Sequence, residues 1–155
     1  MPEITLDQIK QLRAETSAGV MDVKRALQES SGDVEKARKI LQEQGIAGAA
    51  KRSGREVLAG LVHAYIHGSG TMGALVEINC ETDFVARTDE FKNLAHEVAM
   101  QVTAMGPKSV EELLGQECIK DPGKKVSELI KAVIAKTGEN IVVRRVTRYA
   151  INDSF

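Results

Sequence analysis

Three side chains of this chain could supply catalytic or metal-binding chemistry: His63, His67 and Cys80. The two histidines stand four residues apart in a segment with strand-like alternation. An extended chain separates them by roughly 13 Å, too far for a shared metal ion. No acidic residue has metal-ligand spacing to them, and the second cysteine, Cys118, is remote in sequence. We therefore expect a small core residue at Cys80, half-exposed strand histidines, and no metal or cofactor. A thiol enzyme that uses Cys80 stays as a further hypothesis.

The sequence also has no recognisable phosphate-binding loop and no clear nucleic-acid-binding surface. Residues 68–70 (GSG) lack the lysine and the following helix of a phosphate-binding loop, so they predict a hairpin turn. Arg144, Arg145 and Arg148 alternate sides on a predicted strand without an aromatic platform, which favours a solvated face with ion pairs. The net charge of -1 gives no overall attraction to nucleic acid or to an anionic membrane. We expect neither of them as a partner.

The composition sets the class of protein. The 155 residues are 43% hydrophobic and 28% charged, which is typical of a soluble globular protein. No apolar run is long enough to span a bilayer, and no secretory leader is recognisable, so a cytoplasmic protein is the default expectation. Aromatic residues are 3% of the chain and tryptophan is absent. The core must therefore be mainly aliphatic, and each phenylalanine is informative.

The most informative segment is residues 82–87 (TDFVAR), in which Phe84 stands between an aspartate and an apolar pair. The segment lies between a strand-like run and a helix-like run, and loops at such junctions often carry function. A phenylalanine is unfavourable in water. Phe84 therefore either plugs the core of its own protein or is kept for a pocket on a partner. Phe91 can supply the core plug, which favours the partner.

A second candidate contact is Met21, at the connection between the first two predicted helices. It is either an ordinary core methionine, which the residue type favours, or an exposed apolar residue at a helix–helix corner, a common binding surface in three-helix modules. Lys24 lies about one helical turn beyond Met21 on the same face. It is either an ionic contact to a partner or a solvated lysine.

Helices in the first fifty residues must position Met21. Thr5 and Gln8 form a capping box for a first helix, a second helix begins near Val20, and Asp33 caps a third helix that ends at Gly45. Residues 46–54 are rich in small side chains and are interpreted as a linker with room for some helix. We place a boundary in this linker, which gives a three-helix domain over residues 1–53 and a second domain over residues 54–155.

The second domain has the pattern of a small α+β core. Residues 61–67 and 72–80 alternate with period two around the turn, so they form an antiparallel hairpin, and residues 141–150 add a third strand. Helical apolar stripes follow Thr88 and residue 126, and Ser109 opens a short helix with a second capping-box match. The sheet has more Val and Ile than one buried face needs. A face of that kind is usually covered, so self-association is expected.

Three segments of the chain resemble bacterial elongation factor Ts. They are residues 12–27 (LRAETSAGVMDVKRAL), residues 76–87 (VEINCETDFVAR) and residues 138–145 (GENIVVRR). They follow the order of the family and span nearly the whole chain. The resemblance implies a ubiquitin-associated-like three-helix domain followed by an antiparallel sheet core with covering helices.

The resemblance also implies a function, a guanine-nucleotide exchange factor for elongation factor Tu that uses no cofactor and forms no covalent intermediate. By resemblance, Asp83 and Phe84 enter between two helices of elongation factor Tu near its magnesium site. The implied GTPase contacts of this segment are Thr82, Asp83, Phe84 and Val85. Those implied for the N-terminal domain are Val20, Met21, Asp22 and Lys24. Further implied contacts are His67, Lys51 and Arg52.

The chain also departs from the long members of the family, which carry a duplicated core and a helical hairpin. Here one core is present, and only residues 106–123 stand where a longer helical segment usually lies. Short members with one core dimerise, so we expect a homodimer that binds two copies of elongation factor Tu. The alternative, from another class of protein, is a helical adaptor fused to an interaction domain without exchange activity.

Overall fold

The computed structural model describes residues 4–16 and 18–153. The chain divides into two compact units, Met1–Lys51 and Arg52–Phe155. The elements within the described residues are α1 (Leu6–Thr16), α2 (Val20–Glu29), α3 (Val34–Arg52), β1 (Ala59–His67), β2 (Met72–Cys80), α4 (Asp83–Ala86), α5 (Asp89–Met105), α6 (Val110–Gly115), α7 (Val126–Thr137) and β3 (Ile141–Ala150). The predicted α+β class, three helices followed by a three-stranded antiparallel sheet with covering helices, is confirmed.

The first unit is a three-helix bundle whose helices begin where the sequence predicts. The Thr5 hydroxyl accepts a hydrogen bond from the Gln8 backbone N–H at 3.2 Å, and the Gln8 side chain accepts one from the Thr5 N–H at 3.0 Å. Asp33 accepts one from the Lys36 N–H at 3.1 Å. Each contact satisfies a backbone donor that the first turn of a helix leaves free. The core of the bundle consists of Leu12, Val23, Ala26, Leu27, Ala37 and Leu41.

The third helix does not end at Gly45 as expected, because α3 continues to Arg52. Gly45 has helical backbone, and the predicted linker is therefore helical over most of its length. A glycine inside a helix costs only about 1 kcal/mol relative to alanine, and three alanines follow within five residues. One of them, Ala49, is buried. Good helix formers and this burial outweigh the glycine stop signal.

The second unit is built on a sheet with strand order β1-β2-β3, antiparallel throughout. The hairpin turn lies at the predicted glycines, where Gly68 has φ 52 and Gly70 has φ 87, values in the left-handed region that glycine adopts without strain. A register shift between Glu77 and Ile78 leaves Arg144 of β3 as an extra residue. Because of this β-bulge, the predicted alternation of Arg144 and Arg145 between the two sides of the strand is wrong. Both Arg144 and Arg145 reach the Glu77 carboxylate, at 3.6 Å and 3.0 Å.

One face of the sheet is covered by α5, and there the core of the second unit forms. Thr88 caps the helix by accepting from the Phe91 N–H at 3.3 Å, and Gly106 ends it in the left-handed conformation. Phe91 is completely buried, as are Val76 and Ile78 on the sheet. Arg148 differs from the two other arginines of its strand, because its guanidinium donates to the Thr103 carbonyl of α5 at 2.9 Å.

The opposite face of the sheet is open in the single chain. Its exposed apolar side chains are Val62, Ile66, Leu75, Val142 and Tyr149. A Cβ at Gly73 would lie 2.6 Å from the Ile66 side chain, so the glycine makes room for Ile66 to lie across the strand. The expected surplus of apolar groups on this face is therefore present. We call this set of side chains the outer face.

Phe91→Ala should lower the free energy of unfolding of the second unit by about 3–5 kcal/mol, because a buried ring leaves a cavity. Phe84→Ala is the matched control. It removes the same ring from a site that is 86% exposed and should shift the free energy by no more than about 0.5 kcal/mol. Both tyrosines of the chain, Tyr65 and Tyr149, lie in the second unit. Tyrosine fluorescence during a urea titration therefore follows that unit. Equal losses for the two variants would contradict this assignment of core and surface.

Candidate functional site

Phe84 lies on α4, a single helical turn that follows directly after β2. Its side chain is 86% exposed, while its neighbours Val85 and Ala86 are buried. Phe91 occupies the core instead. The structure therefore does not support the alternative in which Phe84 plugs the core of its own protein. The turn presents Asp83 and Phe84 side by side to solvent and keeps its apolar half in the protein.

Two threonine hydroxyls hold the ends of this turn. At the start, Thr82 Oγ1 accepts from the Val85 N–H at 3.5 Å, and the Thr82 carbonyl accepts from the Ala86 N–H at 3.2 Å. At the end, the Thr88 hydroxyl donates to the Val85 carbonyl at 2.7 Å. A helix this short is not stable in isolation, because nucleation costs more than one turn of hydrogen bonds returns. Capping and burial must therefore hold it in place.

A group of polar residues that the sequence analysis did not single out lies just before the turn. The Glu139 carboxylate accepts hydrogen bonds from the Glu81 and Thr82 N–H groups and from the Thr82 hydroxyl. The Glu81 carboxylate accepts one from the Asn140 N–H at 2.7 Å. The side chain of Asn140 is buried and donates to the Arg55 carbonyl at 2.9 Å. The signal in the sequence is the polar pair at residues 139 and 140, which follows a glycine stop and precedes a strand.

Cys80 lies beside this group and is not suited to nucleophilic chemistry. Its Sγ donates to the Thr82 carbonyl at 3.2 Å. Burial, with a further contribution from the nearby Glu139 carboxylate, raises the pKa of the Cys80 thiol to about 11. A reactive cysteine needs the thiolate form near neutral pH. The environment of Cys80 therefore argues against the thiol-enzyme hypothesis.

In the first unit, the candidate contacts lie at the beginning of α2. Met21 is 69% exposed and Val20 is also exposed, whereas Val23 and Leu27 of the same helix are buried in the bundle. The core-methionine alternative for Met21 is therefore not what the structure shows. Asp22 forms an exposed ion pair with Arg25 at 3.5 Å, and Lys24 is exposed. Met21, Val20 and Lys24 form one solvent-facing surface on this helix.

The other predicted contacts lie elsewhere. Lys51 and Arg52 are at the end of α3, with Lys51 exposed and Arg52 half-buried. His67 is the last residue of β1, and its Nδ1 lies 2.9 Å from the Tyr65 hydroxyl. The strand pairing sets His67 beside Met72 and Ala59 beside Cys80, so His67 and the α4 turn stand at opposite ends of the hairpin. The structure brings residues 82–85 together but leaves His67 apart from them.

A cavity of about 120 Å³ opens beside His67. Its lining residues are Tyr65, His67, Met72, Met100, Thr103, Ala104 and Ile119. The walls come from the end of the sheet, from α5 and from the segment after α6. The cavity gives His67 a partly apolar setting at the surface.

A histidine pair, also missed by the sequence analysis, lies under β1. His63 Nε2 is 3.1 Å from His96 Nδ1, and the two rings meet edge to face. Tyr65 packs on the His96 ring as well. Burial, and then the proximity of His96, lower the pKa of His63. Within residues 4–16 and 18–153, no group of three or more His, Cys, Asp or Glu side chains could hold a metal ion.

The described helices include none that is both long and apolar enough to cross a membrane. The three-helix unit exposes a methionine, and the α+β unit exposes a phenylalanine on a capped turn. Exposed methionine and aromatic side chains are frequent contacts between proteins, so both are candidates for binding a partner. Comparison with known proteins then gives the family. A family model described as elongation factor TS matches residues 81–155.

Curated relatives match over nearly the whole chain. Elongation factor Ts of Coprothermobacter proteolyticus is 42% identical over 196 residues, which cover 97% of this chain and 100% of that protein. The Thermotoga neapolitana protein is 43% identical over 194 residues, with 97% and 98% covered. The Rubrobacter xylanophilus protein is 41% identical over 191 residues, with 94% and 98% covered. This chain belongs to the elongation factor Ts family of translation elongation factors. The alignments are longer than the 155 residues of the chain, so these relatives contain segments without a counterpart here.

The histidine pair predicts a dependence of stability on pH. Because the pKa of His63 is lowered in the folded state, the unfolded chain binds more protons once the pH falls below about 6.5. Stability should therefore fall as the pH drops through that value. His63→Gln keeps a hydrogen-bonding side chain but cannot titrate, so its stability should fall less between about pH 7.5 and pH 5.5. Urea titrations followed by tyrosine fluorescence measure both proteins. An equally steep loss in the variant would contradict the assignment to His63.

Proposed function

We propose that this protein is a guanine-nucleotide exchange factor for elongation factor Tu in translation elongation. Membership of the elongation factor Ts family supports the class of activity. The observation that carries the proposal is the exposure of Phe84 on a capped turn beside Asp83. An exposed aromatic on a fixed turn can enter a pocket of a partner with little loss of backbone entropy. We also propose that the protein acts in the cytoplasm, where translation elongation takes place.

In this proposal, exchange results from two competing conformations of the GTPase. Bound nucleotide with magnesium favours one conformation and the exchange factor favours the other, so each weakens the binding of the other. Phe84 would be buried between two helices of elongation factor Tu only when the helix that holds the magnesium contacts has shifted. Burial of a phenylalanine contributes about 1.5–3 kcal/mol and helps to offset the lost metal and phosphate contacts. Weaker magnesium binding exposes the charge of the diphosphate and speeds its release.

The remaining proposed GTPase contacts are supported to different degrees. Val20, Met21, Asp22 and Lys24 would bind the nucleotide-binding domain of the GTPase, and the exposure of Met21 supports this role. His67, Lys51 and Arg52 are proposed as additional contacts, supported only by their exposed or half-exposed positions. The protein itself performs no covalent chemistry in this scheme and is not an enzyme.

Phe84→Ala should lower the stimulated release of GDP from bacterial elongation factor Tu by at least about tenfold, the factor that corresponds to about 1.4 kcal/mol of lost burial. The measurement is stopped-flow release of a fluorescent GDP analogue. Leu6→Ala is the control, because Leu6 is 73% exposed on α1 and is not among the proposed GTPase contacts. The control variant should stimulate GDP release at the same rate as the unchanged protein.

Two outcomes would count against the proposal. Full activity of a folded Phe84→Ala variant would show that Phe84 has no part in the exchange mechanism. No effect of the unchanged protein on GDP release would leave the adaptor alternative, in which the exposed phenylalanine and methionine bind a partner without exchange.

We further propose that the outer face joins two copies of the chain. Val62, Ile66, Leu75 and Tyr149 are exposed apolar residues on neighbouring strands. Contiguous apolar surface on a sheet is usually covered by a partner, and a second copy of the same face is self-complementary when a two-fold axis crosses it. Each copy would still expose its own α4 turn and could bind one GTPase.

Leu75→Glu should convert the dimer to a monomer, because it would place a carboxylate in the apolar centre of the interface. Light scattering after size-exclusion chromatography should show a mass of 16.8 kDa in place of about twice that value. Met105→Glu is the control, with 52% exposure against 51% for Leu75, since Met105 ends α5 and lies outside the outer face. A monomeric unchanged protein would overturn the dimer while leaving the exchange proposal intact.

A further inference from the structure

A reciprocal pair of carboxylate contacts lies directly before the exposed phenylalanine. Glu139 Oε2 accepts from the Glu81 N–H at 3.1 Å and from the Thr82 N–H at 3.0 Å, and Glu139 Oε1 accepts from the Thr82 hydroxyl at 2.6 Å. In return, Glu81 Oε1 accepts from the Asn140 N–H at 2.7 Å. Hydrogen bonds to an ionised carboxylate are stronger than those between neutral groups. We call these four contacts the carboxylate clasp.

The clasp lies where the backbone pairing of two strands stops. Cys80 of β2 pairs with Ile141 of β3. Beyond this pair, the segments that adjoin the two strands are residues 81–82 and 139–140. Carboxylate oxygens there take the place of carbonyl acceptors in the ladder. Asn140 ties the clasp to the body of the second unit through its bond to the Arg55 carbonyl, and Arg55 lies 3.5 Å from the Glu81 carboxylate.

We propose that Glu139 is a positioning residue that fixes the α4 turn and thereby holds Phe84 in the orientation that binds the GTPase. The inference rests on the proposed exchange function. Glu139 acts through Thr82, the residue that caps the turn. Because the Thr82 hydroxyl donates its proton to Glu139, its lone pairs are directed to the Val85 N–H. The carboxylate therefore sets the direction of the cap as well as the path of the backbone.

Loss of the carboxylate would free the turn without removing any contact surface. The N–H groups of Glu81 and Thr82 would lose their acceptor, and the Thr82 hydroxyl could rotate away from Val85. A four-residue turn then occupies its capped conformation for only a fraction of the time. When a binding-competent state has a reduced population, the apparent affinity falls by that fraction, while a saturating concentration restores the bound state.

Glu139→Ala should therefore raise the half-saturating concentration in the GDP-release assay by about tenfold and leave the maximal rate within about twofold of the unchanged protein. Phe84→Ala, which removes the contact itself, should instead lower the maximal rate. The effects of Glu139→Ala and Phe84→Ala should be less than additive in the double variant, because Phe84 is part of what Glu139 positions. The full chain and bacterial elongation factor Tu loaded with a fluorescent GDP analogue are the materials.

Two variants separate positioning from a general loss of stability. Glu139→Gln keeps one carbonyl acceptor for the two N–H groups but puts an amide donor opposite the Thr82 hydroxyl, so it should restore part of the affinity. Glu112→Ala removes a comparable carboxylate that accepts from the Lys108 N–H at 3.0 Å beside the cap of α6. It should leave the half-saturating concentration unchanged.

Hydrogen exchange in the free protein provides a readout that needs no GTPase. The N–H groups of Val85, Ala86, Arg87 and Thr88 are bonded within or at the ends of the turn. They should exchange faster in Glu139→Ala, while those of α5 keep their protection. Unchanged protection of the turn, an unchanged half-saturating concentration, or additive effects in the double variant would each overturn the role of Glu139. If the unchanged protein did not accelerate GDP release from elongation factor Tu, the exchange function would be overturned instead. The hydrogen-exchange result would still decide the role of Glu139.

Discussion

The fixation of one helical turn at the end of β2 is the constraint on which the candidate site depends. Phe84 must be exposed to meet a partner, yet an exposed side chain on a free loop would lose conformational entropy on binding. The turn solves this by dividing its residues: Val85 and Ala86 are buried, while Asp83 and Phe84 face solvent. Its ends are closed by the hydroxyls of Thr82 and Thr88. The apolar half supplies the stability that four residues of helix lack.

The end of the sheet next to α4 holds the turn in position. Antiparallel pairing of β2 with both neighbours places Cys80 between Ala59 and Ile141, so three chain segments converge where α4 begins. The carboxylates of Glu81 and Glu139 lie at this convergence and satisfy backbone donors that the ladder leaves unpaired. The same position raises the pKa of the Cys80 thiol and makes it a structural residue. The same contacts therefore stabilise the end of the sheet and set the geometry of the site.

The two units present different kinds of contact. The first unit exposes a flexible methionine on a three-helix bundle, a side chain that adapts to irregular surfaces. The second exposes a rigid aromatic ring on a fixed turn, which is suited to a pocket of defined shape. The outer face is a third apolar surface on the opposite side of the sheet from α5. In the proposed function, the first two surfaces contact the GTPase and the outer face binds a second copy of the chain.

The sequence by itself determined the elements and the family. Alternation along residues 61–67 and 72–80, the capping threonines and the glycine stops are local signals, and the structure confirms nearly all of them because short-range hydrogen bonding and side-chain periodicity decide them. Gly45 is the exception, since the helix formers and the burial after it outweigh one stop signal. The sequence left Phe84 and Met21 open between core and surface. Only the tertiary structure decided these, because exposure depends on what the neighbouring elements cover. It also revealed Glu139 beside Thr82 and His96 beside His63, pairs that are far apart in the chain and meet only when the sheet and helices pack.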